Sequence, residues 1–98
     1  MTLHCLNSDA DSVLLERLLT WLGNEDAVLL LGPAVNLARS AHPSLARLLD
    51  GGTRLYALND DLALYGVRPR DHRVEAIGYD AFVELSAAHR KQLLWRST

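Results

Sequence analysis

The sequence predicts a three-layer α/β fold: a mainly parallel, five-stranded sheet with helices on both faces, built as one domain over residues 1–98. Three observations predict it. Short apolar segments of strand length alternate with segments that carry helical spacing or helix-start residues. The run "AVLLL", Ala27–Leu31, shows no polar alternation, as expected of a strand buried on both faces. Apolar residues make up 49% of the 98, which is enough for a packed core and points to further buried surface in an assembly.

The elements follow in order. Thr2–Leu6 is a short first strand. Ser8, Asp9 and Asp11 are helix-start residues, and Leu14, Leu15, Leu18, Leu19 and Leu22 then recur on one helical face over Ser12–Leu22, with Glu16 and Arg17 off that face. Gly23-Asn24 suits the helix stop. After the strand Ala27–Leu31, Gly32-Pro33 opens a short helix over Ala34–Arg39, which His42-Pro43 breaks. Ser44 can cap a second turn, Leu45–Leu49, ended by Asp50-Gly51-Gly52. Arg54–Leu58 is the third strand, Asn59–Tyr65 a helix, Arg68–Arg73 a polar loop and Val74–Ile77 the fourth strand. Asp80 is placed as the cap of a helix over Ala81–His89, with Phe82, Val83 and Leu85 available to the core and Glu84 near its middle. Leu93–Trp95 reads as a final short strand. No repeat, low-complexity tract or linker interrupts the series.

The charge balance narrows the function classes. A net charge of −2 argues against a domain that grips nucleic acid by itself, which needs a clustered cationic face. The mild cluster Arg68, Arg70, His72 and Arg73 reads as a solvated loop. The opening "MTLHCLNSD" has neither the basic start nor the long apolar stretch of a secretory signal, and no apolar run approaches the ~20 residues of a membrane span. The expected location is the cytoplasm, with no membrane contact. A single cysteine cannot form an internal disulfide, and His4, His42, His72 and His89 lack metal-ligand spacing. No nucleotide-binding glycine motif occurs, and the serines lack a nucleophile-elbow context. Neither a cofactor nor a metal is expected.

"YALNDDLALYG", Tyr56–Gly66, raises the question of whether Asp60 and Asp61 form a catalytic pair. Adjacent helical residues diverge by about 100° and do not face each other. Asn59 as N-cap, two acidic residues in the first turn facing the helix dipole, and Gly66 as a left-handed stop account for the stretch.

That stretch, together with the opening "LHCLNS" (Leu3–Ser8) and the ending "YDAFVELSAAHRKQLLW" (Tyr79–Trp95), resembles the TusB/DsrH family. The resemblance covers nearly the whole chain and is weakest from Pro33 to Gly52. It implies a small α/β subunit that assembles with TusC/DsrF-like and TusD/DsrE-like chains as a dimer of heterotrimers. In the Tus branch such complexes pass persulfide sulfur from TusA to a TusE-like acceptor, for 2-thiolation of the tRNA wobble uridine. In the Dsr branch they serve sulfur oxidation. The principal sulfur-carrying cysteine belongs to the TusD/DsrE-like partner, so the implied role here is accessory and non-catalytic, without enzyme activity alone.

Persulfide transfer needs an accessible thiolate. Some family members carry a cysteine in the first helix; this chain has none from Ser8 to Leu22, which leans toward the Tus branch. Two readings stay open for Cys5. It is a small buried residue under a helix, inert as such thiols commonly are. Alternatively it is a sulfur carrier near the carboxyl end of a parallel strand, where a nearby helix start would lower its pKa. His4 beside it faces the opposite side of the sheet. Trp21 and Trp95 are candidate interface residues, with core filling as the competing reading.

Overall fold

A computed structural model describes residues 2–7, 12–23, 25–39 and 43–95. Ser8, Asp9, Asp11, Asn24, Ser40 and His42 lie outside the described residues, as do the side chains of Ser12, Leu14, Leu15, Glu16 and Ser44. The elements are β1 (Thr2–Leu6), α1 (Ser12–Trp21), β2 (Ala27–Leu30), a 3₁₀ helix (Gly32–Arg39), α2 (Pro43–Asp50), β3 (Arg54–Leu58), α3 (Asn59–Tyr65), β4 (Val74–Ile77), α4 (Tyr79–Ala88) and β5 (Lys91–Trp95). The five strands form one sheet in the order β4-β3-β2-β1-β5, and every pairing is parallel.

This order explains how the helices divide. From β1 to β4 each strand is laid beside its predecessor in one direction, and right-handed crossovers put the intervening helices on one face. The last connection runs back from one edge to the other, so the same handedness puts α4 on the opposite face. The packing agrees. Leu6, Val28, Leu30, Leu55, Ala57 and Val74 of the sheet pack with Leu18, Val35, Leu48 and Leu62 of the first layer. On the other face Leu3, Ala27, Leu29 and Ile77 are covered by Phe82 and Leu85 of α4, with Cys5 and Tyr56 alongside.

Strand alternation assigns each face. One register row, Val74–Leu55–Val28–His4–Leu93, belongs to the thick layer; the next, Glu75–Tyr56–Leu29–Cys5–Leu94, belongs to the α4 face. The central strand β2 is buried at all four positions, as an apolar run without alternation requires.

Two caps differ from the sequence reading. Asn59 and Asp80 were both expected to cap; instead Leu58 and Gly78 hold the extended cap positions, and neither helix start has a side-chain cap bond. Asn59 is the first helical residue and Asp80 lies in the first turn, where its charge still meets the helix dipole. Val83, read as available to the core, is 50% exposed, because α4 lies alone on its face among the described residues and turns only the Phe82–Leu85 side inward. The C-terminal stop of α3 is as expected. Gly66 sits at φ 64°, ψ 36°; its N–H donates to the Ala63 carbonyl and the Val67 N–H to the Leu62 carbonyl, which closes a Schellman motif over buried Leu62 and Val67.

Candidate functional site: the lone thiol and a buried His–Asp–Trp relay

Cys5 is half-buried on the α4 face, flanked in register by Leu29 on β2 and by Leu94 on β5. Its packing partners are apolar. Burial pushes its thiol above the ordinary cysteine value, and burial is the only cause acting on it. That is the reverse of what activates a sulfur nucleophile, which is a neighbouring positive charge or a helix start.

One position earlier the chain points the other way. His4 is 1% exposed and lies in the thick layer. Its Nε2 is 2.9 Å from Oδ2 of Asp26, and its Nδ1 is 3.0 Å from the indole Nε1 of Trp95. An indole N–H only donates, so Nδ1 is the acceptor and Nε2 carries the hydrogen that goes to Asp26. Asp26 gathers two further donors, the Thr2 N–H at 2.8 Å and the Gly23 N–H at 2.9 Å. Burial raises the Asp26 carboxyl, but the bonds from His4, Gly23 and Thr2 together outweigh it and bring it down to about 2. The pair looks like the Asp–His half of a hydrolytic triad. It lacks the working end, because the nitrogen that would face a nucleophile is occupied by Trp95. With both ring nitrogens bonded and His4 1% exposed, the arrangement fastens the fold and offers no free imidazole nitrogen to a substrate.

The two carboxylates in "LNDDL" also separate. Asp60 is exposed, whereas Oδ2 of Asp61 accepts the Gly32 N–H at 2.8 Å. Asp61 thus ties α3 to the entrance of the 3₁₀ helix in addition to meeting its own helix dipole. Gly32 has φ +56°, and a Cβ there would overlap Oδ1 of Asn7.

The remaining candidates are dispersed. Trp21 is 68% exposed at the end of α1, while Trp95 is half-buried, packed on the main core and bonded to His4. In the basic loop, Arg73 pairs with Asp71 at 2.8 Å and with Asp50 at 3.1 Å at the surface. His89 donates Nδ1–H to the Leu85 carbonyl at 2.7 Å. Among the described residues no cluster of His, Cys, Asp and Glu stands ready to hold a metal ion, and no helix is long and apolar enough to cross a membrane. Beside α4 two clefts open against the sheet. One of about 450 Å³ is lined by Asp26, Arg54, Tyr56 and His89, and one of about 300 Å³ by Tyr56, Glu75 and Glu84.

Sequence reasoning marked Cys5, Trp21 and Trp95 but missed the relay. In the sequence His4 lacks metal-ligand spacing and Asp26 belongs to no motif. The one available signal was a histidine between apolar neighbours in a strand, which needs hydrogen-bond partners when buried.

Comparison with known proteins places the chain. The family profile described as "DsrH like protein" matches residues 7–92. Curated relatives named "Protein TusB" include one from Serratia proteamaculans, 42% identical over 78 residues and covering 79% of this chain and 80% of its own. Another, from Pectobacterium carotovorum subsp. carotovorum, is 37% identical and covers 96% of this chain and 97% of its own. Among solved structures, the ychN protein from E. coli superposes with a TM-score of 0.73 over 97% of this chain and 99% of its own, at 12% identity, which speaks for the fold alone. On these sequence matches the chain belongs to the TusB/DsrH-like family.

Proposed function

We propose that this chain is an accessory, non-catalytic subunit of a cytoplasmic TusBCD-like sulfur-relay complex, supporting persulfide transfer toward 2-thiolation of the tRNA wobble uridine. Its partners are TusC/DsrF-like and TusD/DsrE-like chains, with a TusE-like acceptor reached through the complex. The observation that carries this reading is a family match from residue 7 to residue 92 in a chain whose single cysteine is half-buried and has its thiol shifted upward. A transfer nucleophile has to be present as thiolate and has to be reachable; Cys5 is disfavoured on both counts. The contribution is then contact area. Exposed Trp21, Tyr79, Val83 and Leu94 supply apolar and aromatic surface of the kind that subunit interfaces use.

The test is Cys5→Ser in the complete complex, with 2-thiouridine in tRNA as the readout. Thiolation close to that of the unsubstituted complex is expected. Loss of thiolation with the complex still assembled, or a gain of about 32 Da (one sulfur atom) on this chain during turnover, would make Cys5 a carrier and overturn the reading.

A further inference from the structure

The two hydrogen bonds on the His4 ring respond differently to a proton. In the described geometry Nε2–H donates to Asp26 and Nδ1 accepts from Trp95, and the residue is only 1% exposed. A proton taken from solvent onto Nδ1 leaves the Asp26 bond in place and turns it into an ion pair. The same proton points at the Trp95 N–H across 3.0 Å, so two donors oppose each other and that bond cannot survive. The indole must then turn away, since a buried N–H without an acceptor is costly.

Trp95 ends β5, an edge strand that pairs with β1 alone. At this end the strand is held by the Asn7 N–H to the Trp95 carbonyl at 3.1 Å, by the indole bond and by partial packing of the ring on the core. Among the described residues, the charged group bonded to the ring is Asp26. Glu25 before β2, Arg17 on α1 and Lys91 on β5 are exposed, while α1 offers Leu18 and, partly buried, Leu19 to this layer, with Leu22 just after the helix.

We propose that His4 is a proton-operated latch on the C-terminal strand. Neutral, with its hydrogen on Nε2, the ring fastens β5 through Trp95. Protonated, it keeps Asp26 and releases the Trp95 end of the strand, which uncovers the backbone edge of β1. The device is independent of sulfur chemistry and would act whether or not the chain joins a relay complex.

The experiment is a proton–nitrogen NMR titration of the full chain from about pH 8 to about pH 5, the range in which histidine ordinarily titrates. It is run in a Trp21→Phe background so that one indole signal remains. The Trp95 indole signal is expected to move in step with the His4 ring nitrogens. Amide protection across Lys91–Trp95, corrected for intrinsic exchange, is expected to fall roughly 2- to 12-fold relative to β2 and β3, the equivalent of one net hydrogen bond. In His4→Gln the carboxamide donates to Asp26 and accepts from Trp95 without a titrating proton, so β5 protection is expected to be flat with pH. An indole signal that ignores the His4 titration, β5 protection that does not change, or a His4 ring that stays neutral to pH 5 overturns the latch. If His4→Gln does not fold, the titration of the Trp21→Phe chain decides alone.

Discussion

Trp95 donates its indole N–H to Nδ1 of His4 from 91 positions away, so the last described strand is bonded through a side chain to the first. His4 passes its own hydrogen to Asp26. Among the described residues no buried side-chain nitrogen or oxygen lacks a partner, and this relay satisfies the most deeply buried polar side chain. Three strands of local structure, the starts of β1 and β2 and the end of β5, are coupled by one imidazole.

Replacing that imidazole should therefore cost more than its volume. His4→Ala leaves the Trp95 N–H without its acceptor, takes one of two donors from Asp26 Oδ2, which keeps the Gly23 N–H, and opens a void. The expected loss is about 2–4 kcal/mol, read as a lower urea midpoint with an unchanged slope. His4→Gln, which restores a donor and an acceptor, should recover most of it.

Acid should unfold the chain through Asp26. Its folded-state carboxyl lies at about 2 against an ordinary 3.8, so the unfolded chain binds that proton more readily. The sign follows: the stabilisation is fully present above about pH 4 and is lost as pH falls toward about 2. Asp26→Asn turns an amide toward donors and should lower stability at neutral pH while flattening the acid limb of the curve. Asp71 is also held at about 2, first by the side-chain bond from Arg73, but the pair is at the surface and Asp71→Asn should leave neutral-pH stability nearly unchanged. Thermal midpoints between pH 2 and pH 7 check both.

Gly32 should resist any side chain. Gly32→Ala meets a positive φ and a Cβ that overlaps Asn7, and it strains the N–H bond to Asp61. A loss of roughly 1–3 kcal/mol is expected. Gly52→Ala is the control: its φ is +84°, but nothing lies within 4 Å of the new carbon, so only the backbone term of about 1–2 kcal/mol applies.

Trp21 should matter to partners and little to the fold. In the isolated chain Trp21→Ala is expected to change stability by less than about 0.5 kcal/mol, as for exposed positions in general. In co-purification with TusC- and TusD-like chains it is expected to weaken association by about 2 kcal/mol or more, as a buried aromatic anchor does. Unchanged association would remove Trp21 from the interface.

Much of this architecture was legible in the residues. The uninterrupted run at Ala27–Leu30, the leucine spacing of α1 and the Gly66 stop each encode a local backbone preference that needs no distant partner. The cap lies one position before Asn59 and two before Asp80, because extended Leu58 and Gly78 serve as well when acidic residues follow in the first turn. Val83, available to the core by its apolar character, stays exposed because an apolar residue in a helix does not state how much sheet is left to cover it.

Local order, then, was written into the chain: which segments extend, which coil, where they stop, and that Cys5 and His4 point apart. The folded arrangement added the contacts that depend on strand order. β5 returns to the far side of β1, and this alone brings Trp95 to His4; the β1–β2 ladder brings Asp26, 22 positions on, to the same ring. Periodicity reports backbone angles and burial, both short-range quantities. A hydrogen bond between residues 4 and 95 exists only once the crossovers have set which strands are neighbours, and no local pattern carries that information.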